Sequence, residues 1–316
     1  MVHVVKLADS HLASSSDSEV NDQMRVIINA DDFGCHTDVN YGIIEAHRHG
    51  VVTSASLMVN FEDSAEAARM ALENPSLCVG LHLNISSGHC LAPKTKVPAL
   101  VDGEGYFKFE SRDIPGSIAW LRGAITADQH ILDQIEWEFW AQVERFRSFG
   151  LRVAYLDVHH YLSLIHIGLF ERYVELANQL AIPFRGLCYP IIDMLRVPQN
   201  VITEMEMIIR QSIFPGPHIS LGNLLGSKPV IVPSGEEYQR IVETKLQSLA
   251  GEGTRSVELI THPAKITEFV RQHDTYLWAR ELETALVNSP SFASFLETNH
   301  FCLISHACLR QVENES

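Results

Sequence analysis

The sequence predicts an α/β fold, a single (β/α) barrel that is distorted or incomplete. Strand-like and helix-like segments alternate along the 316 residues in about seven units, as in parallel α/β proteins. Most of the strand-like segments are near-continuous apolar runs, the pattern of strands covered on both faces. The length admits two ordinary domains or one barrel of roughly 250 residues. No linker divides the chain after residue 24, and no internal repeat is visible.

The first strand, 26–30, is the apolar run Val-Ile-Ile-Asn-Ala, and the amphipathic stretch after it predicts a helix over 39–49. Strands follow at 51–59 and 77–83, with a helix over 64–73 between them. Residues 127–149 form a long helical pattern that leads to a strand at 153–158. A helix over 169–180, a strand at 183–187 and a helix over 236–250 come next. The last elements are a strand at 257–261, stopped by Pro263, a helix over 275–286 and a strand at 301–305. Two segments fit the alternation poorly. Residues 84–124 read as a long loop with a small hairpin around Asp102-Gly103-Glu104-Gly105. Residues 188–234 carry Pro190, Pro198, Pro215, Pro217, Pro229 and Pro233. Long insertions of this kind are lids, substrate walls or surface decoration. Residues 8–23 are polar and low in complexity, so 1–23 reads as a disordered leader before a domain over 24–316. Met24, directly before the first strand, is a candidate start, which the intact mass of the native protein decides.

Composition narrows the function classes. Hydrophobic residues make up 46% and charged residues 20%, as in a globular protein with a sizeable core. The formal net charge of -15 disfavours non-specific nucleic-acid binding and adhesion to anionic membranes. Six scattered cysteines form no C-x-x-C pair. They read as reduced, structural thiols, which points to a cytoplasmic location. No run reaches the roughly 18 apolar residues that span a membrane, and the N-terminus lacks the apolar core of a signal peptide.

Chemistry-bearing residues gather at strand ends, where parallel α/β folds build their sites. Asn29-Ala30-Asp31-Asp32-Phe33-Gly34 ends the first strand on two adjacent carboxylates. Neighbouring strand side chains point oppositely unless the backbone turns, and Gly34 permits a turn. One aspartate can then hold a metal while the other acts as a base. The competing reading is an N-cap pair opening the next helix. His82 ends the third strand, as a ligand or as a structural histidine. Asp157 and His159 alternate at the end of the fourth and so share a face. Asp32, His82 and His159 make a workable catalytic metal set that leaves room for water and substrate. Oxygen and nitrogen donors suit zinc, manganese, cobalt or magnesium. Asp157 can instead orient a histidine from behind. His160 should face away.

His262 ends the sixth strand before Pro263 and is either a proton donor or a cap of the following loop. Arg185, late in the fifth strand, can bind a substrate oxygen or steady a carboxylate. Glu138 with Gln142, and Arg280 with Glu281, read as polar helix faces. There is no G-x-S-x-G elbow and no Gly-rich phosphate loop.

Taken together, these blocks resemble the YdjC-like carbohydrate deacetylases, which include chitooligosaccharide deacetylases. The resemblance runs from Met24 to about Ala307. It rests on Ile28 to Gly34, Gly42-Ile43-Ile44-Glu45-Ala46, Gly50 to Met58, Val79-Gly80-Leu81-His82-Leu83, Asp157-Val158-His159 and Thr261-His262-Pro263. It implies a deacetylase-like barrel with one divalent cation, Mg2+ or Zn2+, held by Asp32, His82 and His159. Asp31 matches the position of the general base and His262 that of the general acid. Arg185 and Arg280 match recurring positions, with Asp157 beside them in a substrate-binding or supporting role. Two departures stand out: Tyr161 replaces the second histidine of Asp-x-His-x-His, and Ala264 replaces the glycine of His-Pro-Gly. The implied reaction is hydrolysis of N-acetyl groups on amino sugars or oligosaccharides, releasing acetate. The implied partner is an acetylated sugar, with no nucleic acid and no membrane span, and a homodimer is compatible with it. The alternatives are a lipid-linked or hopanoid-type glycan as substrate, a metal-dependent hydrolase of another bond, and a non-catalytic sugar-binding protein on the same fold.

Overall fold

A computed structural model describes residues 23–109, 112–212, 219–221, 224 and 231–310. The expected leader, apart from Gln23, lies outside the described residues, as do Pro215, Pro217 and Pro229. Seven strands form one sheet: β1 (Arg25–Phe33), β2 (Ser54–Leu57), β3 (Cys78–Leu83), β4 (Leu156–Val158), β5 (Ile219–Leu221), β6 (Ser256–Thr261) and β7 (Cys302–Leu303). Every pairing is parallel, in the order β4-β3-β2-β1-β6-β5, with β7 against the start of β1. The apolar runs are apolar because both faces are covered: Val26, Ile27 and Ile28 are all fully buried.

The two ends of this sheet are joined by residues 183–187. Leu156 N–H donates to Pro183 O at 3.0 Å, Arg185 N–H to Leu156 O at 2.8 Å, and Ser220 N–H to Leu187 O at 3.3 Å. The predicted fifth strand therefore stands between β4 and β5 and completes a distorted ring. It is not a regular strand, because its ladder is a single bridge from Leu156 to Phe184. Pro183 has no N–H to give to such a ladder.

Helices α1 (Thr37–His49), α2 (Ser64–Leu72), α4 (His130–Ser148), α5 (Ile167–Leu180), α8 (Gly235–Gly251) and α10 (Leu277–Val287) fall where the periodicity predicts them. Five others do not: α3 (Ile114–Ala127), α6 (Tyr189–Leu195), α7 (Gln199–Gln211), α9 (Glu268–His273) and α11 (Pro290–Thr298). So 84–124 is a loop only in its first part, where antiparallel bridges pair His89 with Tyr106 and Val101 with Phe107. Proline explains most of the difference. Pro115, Pro190 and Pro290 occupy the first turn of α3, α6 and α11, and Pro198 caps α7. At a first turn, proline's fixed φ and missing N–H cost nothing, so these prolines start helices.

The site depends on an irregularity at the end of β1. The register with β2 shifts between Ala30 and Phe33, and Asp32 takes a left-handed φ of 68°. This bulge turns the chain between two adjacent aspartates, so both reach one side. Gly34 is left-handed too, at φ 93°, and a Cβ there would lie 2.6 Å from the Met58 carbonyl oxygen. The turn is thus shared, with its first half on Asp32 itself.

Glu138 and Gln142 do not form a polar surface. Both are fully buried on α4 and hold the chain that leaves β3. Glu138 accepts from Leu91 and Ala92 N–H at 2.8–3.1 Å, and Gln142 brackets the backbone of Asn84. A Glu138→Ala exchange leaves those amides buried and unpaired. It is expected to lower the unfolding free energy by about 1–3 kcal/mol, read by urea denaturation; an unchanged midpoint contradicts the latch.

Candidate active site

Parallel pairing of β3 with β4 sets His82 directly beside Asp157. His82 Nδ1 donates to Asp157 Oδ1 at 2.7 Å, which turns Nε2 and its lone pair toward the barrel mouth. There Nε2 lies 3.3 Å from His159 Nδ1 and 3.8 Å from Asp32 Oδ1, and the latter two atoms are 3.3 Å apart. Donors about 2.0–2.2 Å from one tetrahedral ion stand about 3.4 Å from each other. The trio therefore has the spacing of a metal set. Asp32 Oδ1 is buried and accepts no hydrogen bond, which is costly unless a cation satisfies it. A second grouping, Asp31, His82 and Asp157, is also close enough. Its two carboxylates, however, already share one guanidinium as partner.

That guanidinium is Arg185, 4% exposed. Its Nη1 and Nη2 grip Asp31 Oδ2 and Oδ1 at 2.8 and 2.7 Å. Nη2 also reaches Asp157 Oδ2 at 2.8 Å, and Nε donates to Glu258 Oε1 at 3.0 Å. Burial alone would raise the Asp31 pKa, but Arg185, and then His82, hold it well below the usual carboxylate range. Asn29 adds a bond to Asp31 Oδ1 at 2.7 Å. Arg185 steadies carboxylates, as one of its two sequence readings expects.

His262 follows β6. Its Nδ1 donates to Glu283 Oε2 at 2.9 Å, and its Nε2 stands 4.0 Å from Asp31 Oδ2. Burial would lower its pKa, but the charge and hydrogen bond of Glu283, and then the two aspartates, push it up to about 9. It carries a proton at neutral pH. Arg280 is buried on α10, so it is not part of a polar helix face; its neighbour Glu281 is, in a half-exposed pair with Arg271. Arg280 donates to Asp32 Oδ2 at 3.1 Å, to Asp274 Oδ2 at 2.5 Å and to the His262 carbonyl at 2.9 Å. It leaves Asp32 Oδ1 as the free oxygen.

The competing N-cap reading of the aspartates fails, because the N-cap of α1 is His36. The side chain of His262 pairs with Glu283 on α10 and not with the loop that follows it. His160 does not face away. It lines the cavity, meets the tilted ring of His159 at 3.8 Å between ring centres and meets Ser86 Oγ at 3.0 Å. The close approach of α1 behind this site requires the glycine at Gly42, where a Cβ would lie 2.3 Å from the Ala264 backbone. Ala264 itself has no left-handed φ, so a glycine is not required there.

The cavity above these groups holds about 570 Å³. Asp31, Asp32, His82, His159 and His262 form its floor, and Ile114, Ile118, Ile191, Met194 and Leu195 belong to its walls. Sequence reasoning missed Glu258, Asp274 and Glu283, the acids that hold Arg185, Arg280 and His262. Glu258 had a signal, being a lone acid inside the apolar run Val257-Glu258-Leu259-Ile260. Glu283 had none beyond its place one turn after Arg280.

Residues 25–298 match a family described as YdjC-like protein. A carbohydrate deacetylase of Brevibacillus brevis is 30% identical over 282 residues, covering 89% of this chain and 98% of its own. A chitooligosaccharide deacetylase of Proteus mirabilis is 32% identical over 250 residues, covering 78% and 83%. Among solved structures, a protein of Enterococcus faecalis V583, provisionally named for cellobiose-phosphate cleavage, superposes with a TM-score of 0.73 at 23% identity. The match covers 91% of this chain and 99% of that one, and it shows a shared fold.

Removing Arg185 would strand Asp31, Asp157 and Glu258 as buried, uncompensated charges. Arg185→Met is expected to destabilise the protein by about 3–5 kcal/mol, more than Asp31→Asn, which leaves the other two pairs in place. Equal losses in thermal or chemical denaturation would show that the cluster does not act as a unit.

Proposed function

Since this chain belongs to the YdjC-like family, we propose that it is a carbohydrate deacetylase that hydrolyses N-acetyl groups of amino sugars, releasing acetate and a free amine. The observation that carries the reading is geometric: a carboxylate, Asp31, and an imidazole, His262, stand 4.0 Å apart on one cavity floor beside the Asp32–His82–His159 set. Amide hydrolysis needs a proton acceptor and a proton donor at one site.

Asp32 Oδ1, His82 Nε2 and His159 Nδ1 would hold one divalent cation, Mg2+ or Zn2+. When bound, such an ion supplies Lewis acidity, polarising the amide carbonyl and lowering the pKa of water. The residues of this chain do the rest. Arg185 keeps Asp31 ionised and fixed, aimed at the water that adds to the carbonyl carbon. Asp31 takes the proton of that water as the new C–O bond forms. His262 Nε2–H faces the departing nitrogen and protonates it as the C–N bond breaks. Glu283 holds His262 in the tautomer and charge state that this step requires. Arg280 fixes Asp32 from behind.

A second reading concerns the acceptor. The walls from α3 and α6 are apolar: Ile114, Ile118, Ile191, Met194 and Leu195. They suit an N-acetyl sugar carrying an apolar group, as on a lipid-linked glycan. A long-alkyl glycoside of N-acetylglucosamine should then give a higher kcat/KM than the methyl glycoside, and a ratio of one rules this reading out.

The reaction is tested by acetate release from N-acetylglucosamine, diacetylchitobiose and longer chitooligosaccharides, using chelated protein with single metals added back. Activity should return with metal and vanish in His82→Ala together with metal stoichiometry. Asp31→Asn and His262→Ala should each lower kcat by 10²-fold or more. Acetate-free digests with every metal would refute the deacetylase reading.

The pH profile is a separate check. A proton donor works below its pKa, so activity should fall as pH rises through the His262 value, about 9 in the metal-free protein and lower beside a dication. Glu283→Gln removes the largest factor raising that pKa. It should move the alkaline limb down by about one unit or more; a limb that stays put assigns it to another group.

A further inference from the structure

Among the described residues, two buried side-chain oxygens make no hydrogen bond: Asp32 Oδ1 and Tyr161 Oη. Both residues line the same cavity. The first is accounted for by a cation. The second has no role in the steps above, yet it lies in the machinery, two residues after His159. We propose that Tyr161 is a substrate-binding residue, its hydroxyl donating a hydrogen bond to an oxygen of the N-acyl sugar. This rests on the deacetylase reading of the site.

Two further observations support the assignment. His160 and Tyr161 both adopt left-handed backbone, each at φ 55°, inside the short 3-10 segment His159–Leu164. Non-glycine residues pay for that conformation, and consecutive ones persist only where the surroundings enforce them. Here the result is a pair of rings presented to the cavity. His160 is answered by Ser86, by stacking on Phe109 and by the ring of His159. The hydroxyl of Tyr161 is left unanswered. Second, the position is apolar enough that phenylalanine would satisfy it: Tyr161 packs against the hydrophobic core with Leu162 and Leu164 buried beside it. A hydroxyl that costs stability and gains no partner within the protein is explained by a partner that arrives with the ligand.

The test is Tyr161→Phe, examined three ways against the wild-type protein. In the ligand-free state its thermal midpoint should be equal or higher, because an unpaired buried hydroxyl has been removed. Metal stoichiometry should be unchanged. The kcat/KM for diacetylchitobiose should fall about tenfold, the worth of one hydrogen bond to substrate. A structural tyrosine would give the opposite sign of stability change. An unchanged kcat/KM, or a loss of activity that follows a lower midpoint or lost metal, overturns the proposal. If the wild-type protein releases no acetate, the deacetylase reading fails on its own account. Tyr161 is then judged by calorimetric binding of the same disaccharide. About tenfold weaker binding by Tyr161→Phe supports the proposal, and equal binding, or none by either protein, overturns it.

Discussion

The guanidinium of Arg185 sits among three buried carboxylates, one each from β1, β4 and β6. It stands on the segment 183–187, whose backbone makes one ladder bridge and few hydrogen bonds to its neighbours. A regular strand would hold that place by its ladder. Here a charge does much of the holding, because Asp31, Asp157 and Glu258 draw the segment toward the barrel axis from three sides. The same contacts fix the proposed base and, through Asp157, the imidazole of His82. Closure of the barrel and alignment of the site are therefore one interaction. A lysine could not substitute, since a point charge cannot grip Asp31 with two nitrogens while a third meets Glu258.

Charge balance gives a second, independent argument for a cation. Asp31, Asp32, Asp157, Glu258 and Asp274 crowd around two guanidiniums, Arg185 and Arg280, and Glu283 pairs with His262 beside them. The deficit shows in the histidines. Burial should lower the pKa of His82 and His262, yet the surrounding carboxylates raise both. His159, farther from the acids of Arg185, moves the other way under burial. A site so short of positive charge can hold a dication for electrostatic reasons as well as for the spacing of its donors.

The strand-end residues were legible because their setting is local. Asp31, Asp32, His82, His159 and His262 each follow a short apolar run, and a parallel fold brings such ends together. Asp157 was legible as a support for the same reason, being in register with His82. What stayed hidden depends on long-range packing. Glu138 and Gln142 looked like a polar helix face, and nothing in their spacing says that the chain leaving β3 needs its amides satisfied. Glu283 and Asp274 act on partners that the fold, not the sequence, places beside them. Pro115, Pro190 and Pro290 stand at first turns, where proline favours a helix that it would break from inside. Strand five failed for a related reason. An apolar stretch predicts burial, but a ladder also needs amides in register, which Pro183 denies.

These two kinds of residue divide the labour of the molecule. The groups proposed to carry the reaction stand on strand ends or on the bulge after β1, where a shift of one residue would reverse their direction. The walls above them come from α3 and α6, in the two segments that broke the alternation, and from the left-handed pair His160–Tyr161. Walls of that origin can change in length and polarity without disturbing Arg185 or the metal set. The floor constrains which bond can be cut, and the walls decide which sugar presents it. An unpaired hydroxyl and an apolar rim on those walls are thus informative about substrate in a way that the floor, whatever its precision, is not.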